Sequence, residues 1–152
     1  MRQRIRLLLA DDRPISRRGL RAVLGARQEI EIVGEATNGE QAVQLVEELQ
    51  PDVVLMDVSM PVLDGLEATR LVKSQWQGVK VVILTMYGLR REDALAAGAS
   101  AFLVKGCPTE DIVEAISEDP PRTTPRQRNL RGQAEGEQGT PILQAAHTWC
   151  LP

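Results

Sequence analysis

The stretch LLLADD, residues 7–12, ends a run of large apolar side chains with two adjacent carboxylates. Such a run is typical of a buried strand. Two like charges a few ångströms apart repel each other by roughly 4 kcal/mol at an effective dielectric constant near 20. A strand that ends in Asp11 and Asp12 therefore needs a partner that offsets this repulsion.

Five short apolar runs divide the first part of the chain. Four of them are nearly continuous in Val, Ile and Leu, which is typical of strands buried on both faces of a parallel sheet. The other run, EIEIVGEA, alternates glutamate with isoleucine and favours an edge strand. The predicted strands are Ile5–Ala10, Ile30–Ala36, Asp52–Met56, Val79–Thr85 and Ala101–Val104.

Helical patterns separate these strands. Asn38 and Asp64 are each followed three residues later by Gln or Glu, which is the spacing of a helix-capping pair. A further helix is predicted after Pro108, because proline is favoured at helix starts. The alternation of strands and helices predicts an α/β doubly wound domain over residues 1–119, with a five-stranded parallel sheet and helices on both faces.

The composition is that of an ordinary globular protein. Of the 152 residues, 43% are hydrophobic and 26% are charged, and the net charge of −3 gives no general attraction to nucleic acid or to an anionic membrane. No apolar run approaches the roughly 18 residues of a membrane span, and the N-terminal apolar stretch is too short for a signal peptide. Cys107 and Cys150 lack CxxC spacing, so we expect reduced thiols in a cytoplasmic protein.

The chain changes character after Ser117. The segment that follows is rich in proline and glycine and has few large apolar side chains. Such a composition cannot bury enough apolar surface to offset the entropy of ordering. We therefore expect residues 120–152 to be a linker or a disordered tail.

Polar side chains stand at the carboxyl ends of four of the five predicted strands. They are Asp11, Asp12, Asp57, Thr85 and Lys105. Because ligands of open parallel sheets bind outside the carboxyl ends of the strands, we expect these side chains to meet at one edge. Three carboxylates, a hydroxyl and an ammonium at the same edge indicate a functional site.

The residue types at this edge indicate phosphoryl chemistry with a hard cation. Clustered carboxylates suit Mg²⁺, which prefers oxygen ligands and would offset the repulsion between Asp11 and Asp12. An aspartate beside that metal can act as a nucleophile toward a phosphoryl group. A lysine and a threonine nearby can hold the transferred phosphoryl oxygens by charge and by hydrogen bonding.

In order and spacing, the motifs LLLADD, VVLMDVSMPVLDG, VVILTM and AGASAFLVK resemble the receiver domain of bacterial two-component response regulators. The resemblance implies that Asp57 accepts a phosphoryl group from a sensor histidine kinase. It also implies that Asp12, Asp57 and the backbone carbonyl of Ser59 bind Mg²⁺, with Asp11 acting largely through water. A member of this family is not an enzyme in the ordinary sense, since its chemistry is the phosphorylation and dephosphorylation of its own aspartate.

The same resemblance assigns the conformational switch to three residues. Thr85 would supply the switch hydroxyl, Phe102 the switch aromatic ring and Lys105 the ammonium that senses the phosphoryl group. The family sheet has the strand order 2-1-3-4-5, which agrees with an edge strand at Ile30–Ala36. In the family the fourth helix, fourth strand and fifth helix form the output surface and the homodimer surface.

Each of these positions also has a simpler interpretation. Asp11 and Asp12 could cap the helix that begins at Pro14, Thr85 could be a β-former that caps a turn, and Lys105 could be an ordinary solvated lysine. Phe102 is expected to be half-buried whether or not it switches. Asp57 could merely terminate a strand.

Other functional classes fit the residues less well. A haloacid-dehalogenase-like phosphatase needs Asp-x-Asp after the first strand, and this chain has Asp11 and Asp12 side by side. A dinucleotide-binding or P-loop enzyme needs a glycine-rich loop after a strand, and the sequence has none. A Ser-His-Asp hydrolase is implausible because His147, in the predicted tail, is the only histidine.

The chain departs from the family pattern at two places. Lys105 follows Thr85 by 20 residues, slightly fewer than in the family, which predicts a short fourth helix ended by Gly98. Residues 123–136, TTPRQRNLRGQAEG, resemble the opening of a LuxR-type helix-turn-helix domain, but no recognition helix follows. The alternative function is therefore a DNA-binding transcriptional regulator of which this chain is a truncated form, and we expect no sequence-specific DNA binding by this chain.

Overall fold

Five strands alternate with five helices along the part of the chain that the structure, a computed structural model, describes. That part comprises residues 3–86 and 91–118. The predicted tail at 120–152, including Cys150, lies outside it. The strands are β1 Ile5–Ala10, β2 Ile30–Ala36, β3 Val53–Asp57, β4 Lys80–Thr85 and β5 Ala101–Val104. The helices are α1 Pro14–Gly25, α2 Gly39–Leu49, α3 Gly65–Gln75, α4 Arg91–Ala96 and α5 Thr109–Ser117.

The strands form one sheet in the order β2-β1-β3-β4-β5, and every neighbouring pair is parallel. A parallel neighbour can be reached only by a crossover, and each crossover here contains a helix. The predicted α/β doubly wound fold and its strand order are therefore confirmed. The order reverses between β1 and β3, since β2 and β3 lie on opposite sides of β1.

The two edge strands differ from each other in their burial. The register of β2 against β1 jumps by one residue, because Leu7 pairs with Ile32 and Leu8 pairs with Gly34. This irregularity and the partly exposed side chains of β2 agree with the predicted edge strand. The prediction that β5 is buried on both faces is wrong. Phe102 and Val104 are only partly buried, because β5 is the other edge and has a neighbour on one side alone.

Two apolar cores lie on opposite faces of the sheet, because successive side chains of each strand point to opposite sides. On one face Leu8 and Val54 pack with buried residues of α2, α3 and α4. On the other face Leu7 and Leu9 pack with buried residues of α1 and α5. The helices therefore cover both faces, as the sequence predicts.

Local signals explain where the helices begin and end. The side chain of Asn38 accepts a hydrogen bond from Gln41 N at 2.7 Å, and that of Asp64 accepts one from Glu67 N at 2.9 Å. Both helices therefore begin where the sequence predicts, with Asn38 and Asp64 as the capping residues. Helix α4 is short, and Gly98 follows it with a φ of +107°, a conformation that favours glycine.

Within the two described ranges, none of the helices combines the length and the apolar character that a membrane crossing requires.

Candidate functional site

The carboxyl ends of four strands meet at one edge of the sheet and carry the predicted polar residues. Asp11 and Asp12 follow β1 directly, Asp57 is the last residue of β3, Thr85 is the last residue of β4, and Lys105 follows β5. The three carboxylates each have an oxygen within 4.8 Å of an oxygen of the others. The structure thus brings together the acidic residues that the sequence predicts to meet.

Lys105 joins two of these carboxylates. Its Nζ lies 2.9 Å from Asp11 Oδ2 and 3.2 Å from Asp57 Oδ2. The side chain of Lys105 is 12% exposed, and those of Asp11 and Asp57 are 2% and 5% exposed. Because these charges are withdrawn from water, their mutual attraction is stronger than that of a surface ion pair. The interpretation of Lys105 as a solvated lysine does not hold.

Asp11 is surrounded by donors. Its Oδ1 accepts a hydrogen bond from Arg13 N at 2.9 Å, and its Oδ2 accepts one from Ser16 Oγ at 2.5 Å in addition to that from Lys105. Burial raises the pKa of Asp11, but the bonds from Ser16 and Arg13 and the charge of Lys105 outweigh it, so the pKa lies below its ordinary value. Asp11 is therefore held as a carboxylate. Helix α1 has Arg13 at its N-cap and no side-chain cap, so Asp11 is not its capping residue.

Asp57 has the opposite balance. Burial raises its pKa, the charge of Lys105 lowers it and the charge of Asp11 raises it, with a hydrogen bond from the backbone N–H of Ser59 as a weaker lowering contribution. The pKa of Asp57 ends above its ordinary value. Two carboxylates of one site therefore differ in proton affinity. At Asp11 the hydrogen bonds from Ser16, Arg13 and Lys105 outweigh burial, whereas at Asp57 burial and the charge of Asp11 outweigh the effects of Lys105 and Ser59.

Gly65 holds the end of β3 in place from the first position of α3. Its N–H donates to Val58 O at 2.9 Å, and a Cβ at this position would lie 2.0 Å from the backbone oxygen of Asp57. No side chain fits there, because the obstructing atom belongs to the backbone. The start of α3 can approach the strand end this closely only with glycine.

One oxygen of Asp12 is buried without a hydrogen-bond partner among the described residues. Within residues 3–86 and 91–118, Asp12 Oδ1 is the one buried side-chain nitrogen or oxygen that lacks a hydrogen bond. An unpaired buried acceptor costs about 1–3 kcal/mol, and more when it is charged. A hard divalent cation among three carboxylates would satisfy this oxygen and offset the remaining negative charge. The donor set therefore fits Mg²⁺.

The other predicted residues lie around this cluster with different degrees of contact. Thr85 is buried, and its carbonyl accepts a hydrogen bond from Lys105 N at 2.7 Å. Phe102 pairs with Ile83 across the sheet and packs, partly buried, against the core on the side of α2, α3 and α4. Ser59 is exposed, and the contact described for it is that of its N–H with Asp57.

Four residues at the site were missed by the sequence reasoning. They are Ser16, Arg17, Glu35 and Gly65. Arg17 Nη1 donates to Asp11 O at 2.8 Å, and Arg17 Nε donates to Glu35 Oε1 at 3.0 Å. Glu35 could have been found, since it stands one residue before the carboxyl end of β2 and parallel strands share that edge. Ser16 and Arg17 lie near the start of α1, which begins two residues after Asp12.

A family model for the response regulator receiver domain matches residues 7–117. The chain belongs to the response regulator receiver domain family. The match begins in β1, ends in α5 and includes the acidic cluster and Lys105. The receiver domain is a component of two-component signalling, and this agrees with the resemblance found in the sequence.

Curated relatives and solved structures agree with this assignment. The transcriptional regulatory protein LnrK of Bacillus subtilis is 40% identical over 114 residues, which are 74% of this chain and 52% of LnrK. The response regulator GacA of Pseudomonas aeruginosa is 39% identical over 117 residues, 74% of this chain and 53% of GacA. The chain thus spans about half the length of these relatives.

The solved structures extend the similarity to three dimensions. The signal receiver domain of the response regulator NarL from Mycobacterium tuberculosis superposes with a TM-score of 0.71 at 31% identity, covering 75% of this chain and 94% of that one. A DNA-binding response regulator of the LuxR family from Staphylococcus aureus gives a TM-score of 0.69 at 30% identity, covering 74% and 95%. Receiver domains of LuxR-type regulators therefore share both the fold and the sequence pattern of this chain.

Proposed function

We propose that this receiver domain accepts a phosphoryl group on Asp57 from a histidine of a sensor kinase, with Mg²⁺ held by Asp11, Asp12, Asp57 and the backbone carbonyl of Ser59. One observation carries the proposal. Asp57 lies at a strand end with Lys105 3.2 Å away, beside a carboxylate cluster in which a buried oxygen of Asp12 has no hydrogen-bond partner among the described residues. A strand terminator or a helix cap needs none of these features.

The chain's own residues would share the chemistry as follows. A carboxylate oxygen of Asp57 attacks the phosphorus while the bond from phosphorus to the donor nitrogen breaks, and the electron pair leaves with that nitrogen. Asp57 is placed for this attack at the carboxyl end of β3, within the acidic cluster. Mg²⁺, when bound, supplies positive charge to the transferring oxygens. Lys105 can form an ion pair with the new phosphoryl oxygens, because its ammonium already contacts the carboxylate of Asp57.

The conformational switch is proposed for Thr85 and Phe102. Thr85 is buried at the end of β4, and its carbonyl is bonded to the backbone of Lys105, so the two residues are linked before any phosphoryl group arrives. A phosphoryl group on Asp57 offers new acceptors to the Thr85 hydroxyl. Phe102 lies on the neighbouring edge strand and is only partly buried, so the core does not enclose its ring on every side.

The partners follow from the same proposal. The phosphoryl donor is a sensor histidine kinase, and the transfer takes place in the cytoplasm. The family pattern also suggests a homodimer that forms through α4, β4 and α5. Several matched relatives are named transcriptional regulators, and the chain spans about half their length. A role in transcription regulation, the domain limits 1–119 and 120–152, and the absence of sequence-specific DNA binding by this chain all stay predictions.

The test is chemical phosphorylation. Purified protein is incubated with Mg²⁺ and acetyl phosphate, and the added phosphoryl group is counted by intact mass and tested for stability in acid and lability in base. We expect one group on the parent and none on Asp57→Asn. Asp52→Asn, an aspartate just before the opposite end of β3, is the matched control and should be labelled like the parent. Equal labelling of Asp57→Asn and the parent would show that the acceptor is a different residue.

A further inference from the structure

Arg17 connects the acidic cluster to the neighbouring edge strand. Its guanidinium donates from Nη1 to the backbone oxygen of Asp11 at 2.8 Å and from Nε to Glu35 Oε1 at 3.0 Å. The side chains of Arg17 and Glu35 are 17% and 27% exposed, so the pair is largely shielded from water. A planar guanidinium that donates in two directions at once fixes the relative positions of the two acceptors.

The acceptor at Asp11 is the oxygen of the peptide that joins Asp11 to Asp12. The N–H of Asp11 is already bonded to Ala36 O at 3.0 Å. With the oxygen of the following peptide held by Arg17, the peptide units on both sides of Asp11 are fixed, because peptide units are planar. The position of the Asp12 Cα, from which the carboxylate side chain projects, is thereby set.

This matters most for Asp12. Asp11 and Asp57 are held by Lys105 and by hydrogen bonds to their own carboxylates. Asp12 Oδ1 is buried and has no such partner among the described residues. The position of that carboxylate depends on its backbone. Arg17 holds the peptide before Asp12, and Asp11 Oδ1 holds the peptide after it through the N–H of Arg13.

We propose that Arg17 is a positioning residue of the metal site, which orients Asp12 toward a bound Mg²⁺ through the peptide between Asp11 and Asp12, with Glu35 as the anchor of its guanidinium. The inference rests on the proposed function, because it takes the acidic cluster to be the site of Mg²⁺. Arg17 touches neither a carboxylate of the cluster nor a reacting atom, and it acts through the backbone.

The chain offers a matched control. Arg21, one turn further along α1, also forms an ion pair with Glu35, since its Nη1 lies 3.2 Å from Glu35 Oε2. The side chain of Arg21 is 67% exposed, and the ion pair that the structure describes for it is with Glu35, not with Asp11. Loss of Arg21 therefore removes an arginine–Glu35 pair of the same chemical type without releasing the Asp11–Asp12 peptide.

The experiment is a calorimetric titration of Mg²⁺ into the metal-free chain at fixed pH and ionic strength. The parent, Arg17→Ala, Arg17→Lys and Arg21→Ala are compared, and unfolding by urea in the presence of a chelator is measured for each. We expect the Kd for Mg²⁺ to rise about tenfold in Arg17→Ala, as for other groups that orient metal ligands. In Arg21→Ala we expect it to stay within about twofold of the parent, because an exposed ion pair contributes little.

The Arg17→Lys variant distinguishes the effect of the positive charge from that of the guanidinium geometry. It also provides the test if Arg17→Ala folds poorly. A lysine keeps the positive charge but cannot donate to Asp11 O and Glu35 in the same planar arrangement. We expect its Kd to lie above that of the parent by severalfold. A Kd restored to the parent value would overturn the inference, and so would an Arg17→Ala variant that loses stability but binds Mg²⁺ like Arg21→Ala. A parent that binds no Mg²⁺ would instead overturn the metal assignment itself, and the inference with it.

Discussion

Lys105 and Asp57 are 48 residues apart in the chain, and the ammonium of one lies 3.2 Å from the carboxylate of the other. The same ammonium lies 2.9 Å from Asp11. A single cation that is largely withdrawn from water thus holds two of the three acidic groups of the site. The repulsion expected from clustered carboxylates is offset in part by the protein itself, and Asp12 alone keeps a buried oxygen without a hydrogen bond within the described residues.

Replacement of Lys105 by methionine should strongly destabilise the metal-free chain. Two buried carboxylates would lose their shared cation, and removal of one partner from a buried ion pair costs about 3–5 kcal/mol. Urea unfolding with a chelator present measures the loss. Mg²⁺ should restore part of the lost stability, because the bound cation would neutralise the carboxylate charges that Lys105 neutralises in the parent. Arg70→Met, which removes an exposed pair with Glu67, is the control, and an equal effect of the two substitutions would contradict the prediction.

Asp57→Asn should raise the free energy of unfolding at neutral pH in the absence of Mg²⁺. The pKa of Asp57 is raised in the folded chain by burial and by the charge of Asp11, although Lys105 opposes the rise. A carboxyl group with a raised folded pKa binds more protons when folded than when unfolded, so its contribution to stability falls as the pH rises through that pKa. At neutral pH the cost is fully present. The amide removes it, and we expect a gain of about 1 kcal/mol, the usual size of a single-site change.

The pH dependence of that gain is a separate prediction. The difference in unfolding free energy between Asp57→Asn and the parent should shrink as the pH is lowered through the folded pKa of Asp57 toward its unfolded value near 3.8. Asp11 behaves oppositely, since its lowered pKa contributes stability above pH 3.8 that is lost as the pH falls further. Both forms contain Asp11, so its contribution largely cancels in the difference. A gain that grows on acidification would show that the sign assigned to Asp57 is wrong.

Millimolar Mg²⁺ should raise the melting temperature of the parent. A cation that binds only the folded chain stabilises it by about 2.7 kcal/mol at one hundred times its Kd. Asp12→Ala should abolish this response, because it removes the carboxylate whose buried oxygen has no hydrogen bond within the part of the chain that the structure describes. Glu31→Gln, which alters an exposed carboxylate of β2, should respond like the parent. Ionic strength is matched with KCl, and a response that survives in Asp12→Ala would place the cation elsewhere.

Gly65→Ala should destabilise the chain by about 3 kcal/mol or more, because its Cβ would lie 2.0 Å from the backbone oxygen of Asp57. The clash cannot be relieved by a side-chain rotation, so the end of β3 or the start of α3 must move. Gly78→Ala is the matched control. A Cβ there meets no atom within 4 Å, and its effect should stay within about 0.5 kcal/mol. Urea unfolding compares the two, and similar losses would mean that the loop after β3 accommodates the methyl group.

The sequence was sufficient for the architecture because the relevant signals are local. Buried parallel strands need continuous apolar runs, and helix starts need caps such as Asn38, so the order of elements can be read from neighbouring residues. The placement of Asp57 and Lys105 at one edge needs only the additional rule that parallel strands share a carboxyl end. These predictions hold without any knowledge of side-chain positions.

The contacts of Arg17 could not be predicted in the same way. Whether Arg17 reaches Glu35 depends on how α1 lies across β1 and β2, which is determined by packing on a whole face of the sheet. The close approach of Gly65 to Asp57 depends likewise on the position of α3. Phe102 is partly exposed because β5 lies at the edge of the sheet. The four residues of β5 do not by themselves indicate that edge position.

The distance along the chain between Asp11 and Lys105 has a consequence for synthesis. The contact joins residues that are 94 positions apart, and a ribosome makes the acidic residues of β1 and β3 well before the lysine. Until β5 has emerged and paired with β4, a nascent chain contains the carboxylates without the ammonium that joins two of them. Contacts between such distant residues form late because the intervening loop must first be closed. Under the function proposed above, a growing chain would therefore gain the complete acceptor site only when β5 is in place.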